Sequence, residues 1–180
     1  MRILKEETMA VLVDVQEVLL PHIHDNENLA KNLRILIEGL KTMGVDILVS
    51  EQYTKGLGHT VETLQEVLGE YTPLEKTSFS CCDDENMMEY MEKSGKKFII
   101  LTGIESHICV MQTALDLKAK GYEPVIVEDC VGSRSDNNRK VAMNRLAQSG
   151  VIVTTYESLL FELCRYSKAP EFRTISKLVK

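Results

Sequence analysis

The sequence predicts a doubly wound α/β fold with a mainly parallel sheet and helices on both faces. Short apolar runs alternate with segments in which apolar residues recur every three to four positions, as expected for strands alternating with helices. The connections are short, and the run from Phe98 to Leu101 is typical of a strand buried on both faces. In such sheets, ligands bind at the carboxyl ends of the strands, near the point where the strand order reverses. The polar residues that follow the strands are therefore the functional candidates.

The strands are predicted from short apolar runs that end at polar or turn residues. The first run ends at Asp14, and the second leads into Glu51. Pro73 marks the third as a short or edge strand, because proline cannot donate to a sheet ladder. The predicted strands cover residues 9–13, 45–50, 71–76, 98–102, 124–128 and 151–155.

The helices are predicted from apolar residues at helical spacing and from residues typical of helix ends. Gly44, Gly95 and Gly121 are expected to end three of them. Thr60 is expected to cap a short helix, and Asp83 or Asp84 is expected to begin the next. The predicted helices cover residues 29–43, 61–68, 84–94, 108–120, 137–149 and 156–165, with a short terminal one from Pro170.

Composition indicates one soluble domain over residues 1–180. The net charge of −6 argues against a nucleic-acid or anionic-membrane surface. No apolar run approaches the ~20 residues that a membrane span needs, and the start lacks the apolar stretch of a signal peptide. The five cysteines are odd in number and irregularly spaced, so we expect reduced thiols in a cytoplasmic protein.

Cys109 is a candidate nucleophile. It follows the buried fourth strand at the start of a helical period, so it is expected on a strand-to-helix turn. Backbone N–H groups at a helix N-terminus favour a thiolate, so its pKa is expected below the ~8.5 of a free cysteine. The same turn aims backbone donors at the atom the sulfur attacks. The alternative from this stretch alone is a buried core cysteine.

Asp14 and Lys76 are candidate partners of this thiol, because both fall at strand ends on the same predicted edge. A carboxylate at Asp14 could take the thiol proton, and an ammonium at Lys76 could hold the two anions together. A cysteine, a carboxylate and a lysine suffice for acyl transfer. Taken singly, Asp14 could cap a turn and Lys76 could be a solvated surface residue.

With these residues in place, the chain resembles the isochorismatase-like cysteine hydrolases, the superfamily of nicotinamidase and N-carbamoylsarcosine amidase. Four motifs match in order along nearly the whole chain. They are Asp14-Val15-Gln16, Lys76 with Phe79-Ser80, residues 103–109 (Gly-Ile-Glu-Ser-His-Ile-Cys) and residues 129–135 (Asp-Cys-Val-Gly-Ser-Arg-Ser). Within the superfamily the chain looks most like the isochorismatase domain-containing proteins, on residues 51–53 and 56–58 and on the ending from Pro170.

The resemblance implies a six-stranded sheet in a Rossmann-like three-layer arrangement and a triad of Asp14, Lys76 and Cys109. It also implies a cis peptide bond between Ile104 and Glu105. The backbone N–H groups of Glu105 and Cys109 would form the oxyanion hole.

The segment after the second strand departs from the nicotinamidase pattern. That subgroup places an aspartate and histidines there to hold a metal, whereas this chain has Glu51-Gln52-Tyr53-Thr54. His59 is a lone imidazole, and the segment from His22 to Asp25 is expected to be a polar loop. We therefore expect no bound metal and no cofactor.

The resulting prediction is a metal-independent cysteine hydrolase that cleaves a small amide or related carbonyl compound through a thioester. Gln16, Tyr53 and Phe79 are candidates for the substrate pocket, although each could instead pack against the sheet. A homo-oligomer is expected from the resemblance. Two other classes stay open: an idle scaffold with the same fold, and a thiol sensor in which Cys109 is oxidised. A sensor would need a resolving cysteine, and the sequence places none.

Overall fold

The computed structural model describes residues 1–180, and its centre is a six-stranded, all-parallel sheet. The strands are β1 (Thr8–Val13), β2 (Ile47–Gln52), β3 (Leu74–Lys76), β4 (Phe98–Ile104), β5 (Glu123–Gly132) and β6 (Ile152–Thr154). The helices are α1 (Asn26–Thr42), α2 (Thr54–Leu57), α3 (Glu62–Leu68), α4 (Glu85–Ser94), α5 (Met111–Ala119), α6 (Asp136–Gln148), α7 (Tyr156–Cys164) and α8 (Phe172–Leu178). The doubly wound, six-stranded prediction is confirmed.

The strand order is β3-β2-β1-β4-β5-β6, so the chain builds outwards from β1 in one direction and then in the other. Strand β1 pairs with both β2 and β4, and these two neighbours lie on either side of the reversal. The registers Val13 with Gly103 and Val13 with Ser50 bring the carboxyl ends of the three strands level. This is where ligands bind in doubly wound sheets.

Two apolar layers hold the helices against the sheet. One face packs against α1, α3, α7 and α8, and the other against α4, α5 and α6. Met87, Met88 and Met91 of α4 are all buried in the second layer. None of the helices is both long enough and apolar enough to cross a lipid bilayer.

Gly103 allows β4 to approach β1 immediately before Asp14. Its φ is +105°, a conformation that residues with a Cβ rarely adopt. A Cβ at this position would collide with the backbone carbonyl oxygen of Val13. The close approach therefore depends on glycine.

The predicted end of the fifth strand and the predicted cap of α3 were wrong. Strand β5 continues past Glu128 to Gly132, because its pairing with β4 resumes after a register shift, at Gly103 with Val131. The acidic pair at 128–129 interrupts the apolar pattern without ending the backbone ladder. Thr60 does not cap α3, because its hydroxyl donates to the Glu51 carboxylate at 2.8 Å.

Candidate active site

Asp14 and Lys76 form a buried ion pair at the carboxyl edge of the sheet. Asp14 follows β1 and Lys76 ends the edge strand β3. The Lys76 Nζ lies 2.8 Å from Asp14 Oδ2, and the side chains are 0% and 1% exposed. Removing both charges from water is costly, so such a pair survives only where further hydrogen bonds satisfy it.

The Lys76 ammonium has those further partners. It donates to Gln52 Oε1 at 2.8 Å and to the carbonyl oxygens of Ser78 at 3.1 Å and Phe79 at 3.3 Å. Burial alone lowers its pKa, but the Asp14 carboxylate and the nearby thiols, once ionised, outweigh burial and raise it overall. Lys76 is therefore a fixed positive charge at any physiological pH.

The Asp14 carboxylate is fixed from its other side by Ser50, whose hydroxyl donates to Oδ1 at 2.7 Å. The Asp14 backbone N–H donates to the Ser50 carbonyl at 3.2 Å, and its φ of 52° turns the chain sharply out of β1. Ser50 and Gln52 were not among the predicted site residues. Both lie at the end of β2, so their position on the same edge was the signal available.

Cys109 lies in a π-helical turn (Ser106–Val110) between β4 and α5, and it is 7% exposed. Its carbonyl oxygen accepts from the Thr113 hydroxyl at 2.7 Å. Both charges of the Asp14–Lys76 pair are close enough to shift the pKa of its thiol. The structure thus brings together the three residues that the sequence suggested as a set.

The expected lowering of the Cys109 pKa was wrong. Burial raises the pKa of Cys109 to about 12, and the negative charge of Asp14 raises it further than Lys76 lowers it. The helix N-terminus does favour the thiolate, but the turn is too deeply buried for that effect to prevail. At neutral pH the sulfur is a thiol that needs a base.

Cys81 is a second thiol near the Asp14–Lys76 pair, and it was not among the predicted site residues. It is fully buried, and its pKa is raised by burial to about 11, with Lys76 lowering it and Asp14 raising it. Its backbone N–H donates to Thr113 Oγ1 at 2.9 Å, and the same hydroxyl donates to the Cys109 carbonyl oxygen. One threonine therefore joins the segments that carry the two cysteines.

The backbone at the start of the π-helical turn offers donors. The peptide bond between Ile104 and Glu105 is cis. The Glu105 carbonyl accepts from Ile108 N–H at 3.0 Å and Val110 N–H at 3.3 Å, whereas the Glu105 N–H donates to no carbonyl of the chain. An N–H of this kind is free to stabilise an oxyanion.

The three pocket candidates occupy different environments. Gln16 is fully buried, and its amide bonds to the backbone of Gln52 and Gly58 at 2.7–2.9 Å, so it joins the end of β2 to the residue after α2. Tyr53 and Phe79 are 51% and 56% exposed. The backbone N–H of Tyr53 donates to the Lys76 carbonyl, and the Phe79 carbonyl accepts from Lys76 Nζ. Both aromatic residues therefore adjoin the lysine.

Residues at the end of β2 and in the loop beyond it are hydrogen-bonded to one another. The buried Glu51 carboxylate accepts from Thr60 N–H at 2.7 Å and lies 3.1 Å from His59 Nδ1. The hydrogen bond to Glu51 raises the pKa of the exposed His59. No group of three or more histidine, cysteine, aspartate or glutamate side chains is arranged to hold a metal ion.

Comparisons with known proteins point to one family. The family model for the isochorismatase domain matches residues 8–158. The chain is 37% identical over 173 residues to isochorismatase domain-containing protein 1 of Salmo salar, covering 96% of this chain and 61% of that protein. It therefore spans about three fifths of that relative's length.

Two solved structures illustrate the likeness in three dimensions. The structure of the MAR1 ribonuclease of Caenorhabditis elegans matches with a TM-score of 0.93 and 37% identity, covering 99% of this chain and 92% of that one. YcaC of Escherichia coli, described as an octameric hydrolase of unknown specificity, matches with a TM-score of 0.88. At 22% identity, covering 98% of this chain and 95% of that one, YcaC shows the shared fold alone.

Proposed function

The chain belongs to the isochorismatase family, and from this premise we propose that it is a metal-independent cysteine hydrolase acting on a small amide or related carbonyl compound. Cys109 is the proposed nucleophile, Asp14 the base and Lys76 the charge stabiliser. The observation that carries the proposal is the buried carboxylate of Asp14, held 2.8 Å from Lys76 and acting on an un-ionised thiol. A thiol with a raised pKa reacts only where a base is at hand.

In the proposed first half-reaction, Cys109 Sγ bonds to the carbonyl carbon while its proton passes to Asp14. The carbonyl electron pair moves to oxygen, where the backbone N–H groups of Glu105 and Cys109 would stabilise the negative charge. The carbon–nitrogen bond then breaks, and the amine leaves with the proton held by Asp14. A thioester on Cys109 remains.

In the second half-reaction, water gives a proton to Asp14 and attacks the thioester carbon. The sulfur–carbon bond breaks, the acid product leaves and Cys109 regains its proton. Lys76 keeps its charge throughout, because its raised pKa and its fixed acceptors hold the proton. Tyr53 and Phe79, both exposed and adjoining Lys76, are proposed to contact the substrate.

The proposal is tested by screening small amides against wild type and Cys109→Ala, with intact-mass detection of an acyl adduct. Cys164→Ala is the matched control, since Cys164 is 6% exposed, close to the 7% of Cys109, but lies on α7. We expect an adduct and turnover in wild type and the control, and neither in Cys109→Ala. Dialysis against a chelator should leave the activity unchanged. Turnover that survives Cys109→Ala would contradict the proposal, and no adduct with any carbonyl compound would favour an idle scaffold.

RNA cleavage is the competing function, because the C. elegans structure at 37% identity is described as a ribonuclease. The net charge of −6 favours a small uncharged or cationic substrate over a polyanion. Incubation of wild type and Cys109→Ala with a labelled RNA separates the two. RNA cleavage by wild type with no acyl adduct would replace the amide proposal.

We further propose a single domain over residues 1–180, a cytoplasmic location and a homo-oligomer. The E. coli YcaC neighbour is described as octameric, and an assembly of this chain would have exposed apolar residues to cover. Val18, Val141 and Phe161 are 37–58% exposed. Light scattering coupled to size exclusion measures the number of subunits directly.

A further inference from the structure

An ion pair outside the Asp14–Lys76–Cys109 set joins the turn that carries Cys109 to the loop after β5. Glu105 is 9% exposed, and its carboxylate accepts from the Arg134 backbone N–H at 2.9 Å. The Arg134 Nε lies 3.0 Å from Oε1 and 3.2 Å from Oε2 of the same carboxylate. The Arg134 side chain itself is 64% exposed. A buried carboxylate is thus held from one side by a residue two positions beyond the end of β5.

His107 makes a second connection between the same two segments. Its Nδ1 lies 3.0 Å from Ser133 Oγ, and its Nε2 lies 3.4 Å from Asn138 Nδ2. The segment that carries Cys109 is therefore joined, through Glu105 and His107, to the residues between the end of β5 and the first turn of α6. Neither contact involves the Asp14–Lys76 pair.

Fixing the Glu105 side chain also fixes the backbone at the start of the turn. The Glu105 carbonyl is tied by Ile108 and Val110, while its N–H has no carbonyl partner. With the carbonyl and the carboxylate of Glu105 both anchored, the residue has less freedom to turn its free N–H away. Donors in such a role lose effect when they are displaced by about 0.5 Å.

We propose that Glu105, anchored by Arg134, is a positioning residue that holds the backbone donors of the oxyanion hole beside Cys109. This inference rests on the proposed function, since an oxyanion forms only if Cys109 attacks a carbonyl. In this proposal the Glu105 carboxylate holds the backbone donors in place, whereas the Glu105 N–H itself donates to the oxyanion.

Two reagents that react with Cys109 distinguish the positioning of the backbone donors from the reactivity of the thiol. With p-nitrophenyl acetate, the sulfur–carbon bond forms as the carbonyl oxygen gains the negative charge, the thiol proton passes to Asp14, and p-nitrophenolate then leaves. With iodoacetamide, the thiol loses its proton to the solvent, the sulfur–carbon bond forms as iodide leaves, and no oxyanion arises. Loss of donor positioning slows the first reaction only, whereas loss of the fold or of the thiol changes both.

The experiment compares wild type, Glu105→Gln, Arg134→Ala and the control Arg34→Ala, with adducts at Cys109 measured by mass spectrometry. Arg34 is matched because it also pairs with a glutamate, Glu66, at 2.8 Å, but on the surface between α1 and α3. Glu105→Gln should slow acylation by about 10-fold or more, since loss of a single oxyanion-hole donor costs about 100–1,000-fold. Arg134→Ala should slow it less, because its backbone N–H still holds the carboxylate. Alkylation should stay within about twofold of wild type.

Equal losses with both reagents, or unchanged acylation in both Glu105→Gln and Arg134→Ala, would overturn the inference. If wild type is not acylated at Cys109, the proposed function and the inference fail together. If wild type is acylated and the variants match it, the inference fails alone. Should Glu105→Gln not fold, Arg134→Ala decides the question, because it removes only an exposed guanidinium.

Discussion

Replacing Lys76 with methionine should destabilise the protein by about 3–5 kcal/mol, because it leaves the buried Asp14 carboxylate without its partner. The two side chains are 0% and 1% exposed and 2.8 Å apart, so water cannot take the place of the ammonium without rearrangement. Methionine fills nearly the same space, so the loss is electrostatic rather than a cavity effect. The carbonyl oxygen of Ser78 also loses a donor. For a chain of this size, the loss corresponds to a fall in Tm of about 6–20 °C.

Urea denaturation at pH 7 measures this loss. The double variant Asp14→Asn with Lys76→Met removes both charges and should recover most of it, giving an interaction free energy of about 2 kcal/mol or more. Lys93→Met is the control, because Lys93 and Glu89 form an exposed pair, 71% and 62% exposed. That change should cost less than about 0.5 kcal/mol. A loss below about 1 kcal/mol for Lys76→Met, or no recovery in the double variant, would refute the reasoning.

Three further predictions concern the thiols and the strand contact. Alkylation of Cys109 by iodoacetamide should rise steadily with pH beyond 9, because its pKa is raised to about 12, and a plateau below pH 9 would contradict this. Stability should fall above pH 9 by up to about 1.4 kcal/mol per pH unit per buried thiol, because the folded state holds protons that the unfolded chain releases. Cys81, whose pKa is raised to about 11, contributes between pH 9 and 11, so Cys81→Ser should flatten the slope in urea titrations across that range. Gly103→Ala should cost about 2–5 kcal/mol from backbone strain and contact with Val13, and a loss below about 1 kcal/mol would refute the close approach.

The sheet and the strand-end positions of the candidate residues could be predicted because both follow from local patterns. An apolar run that stops at Asp14 fixes where a carboxylate lies in a parallel sheet. Side-chain partners on neighbouring strands have no comparable local sequence pattern. Ser50 and Gln52 contact Asp14 and Lys76 only because β2 lies between the other two strands in the fold, and a single sequence does not state which strands are neighbours.

Depth of burial explains the wrong sign for the Cys109 pKa. A helix N-terminus does favour the thiolate, but its effect is confined to the first turn and is small beside the cost of an anion out of water. The sequence pattern shows that a turn follows β4, yet the 7% exposure of Cys109 arises within an apolar cluster that includes residues of β1, β5 and α6, which are distant in sequence. Cys81 was missed for a related reason: it follows Lys76 closely in the sequence, but only the fold buries it completely and brings it under the influence of Asp14.

The raised thiol pKa also decides the order of events in the proposed reaction. With a pKa of about 12, forming the Cys109 thiolate at pH 7 before attack would cost about 7 kcal/mol and would leave a net negative charge in a buried site. Transfer of the proton to Asp14 during attack avoids this, since the site keeps one anion and one cation throughout. Before attack, the anion is the Asp14 carboxylate beside Lys76, and afterwards it is the oxyanion at the backbone donors. Lys76, fully buried and bound to neutral oxygens as well as to Asp14, keeps its charge in both states. Its proposed role is thus to balance the negative charge both when it lies on Asp14 and when it lies on the oxyanion. A surface lysine screened by water could not do this.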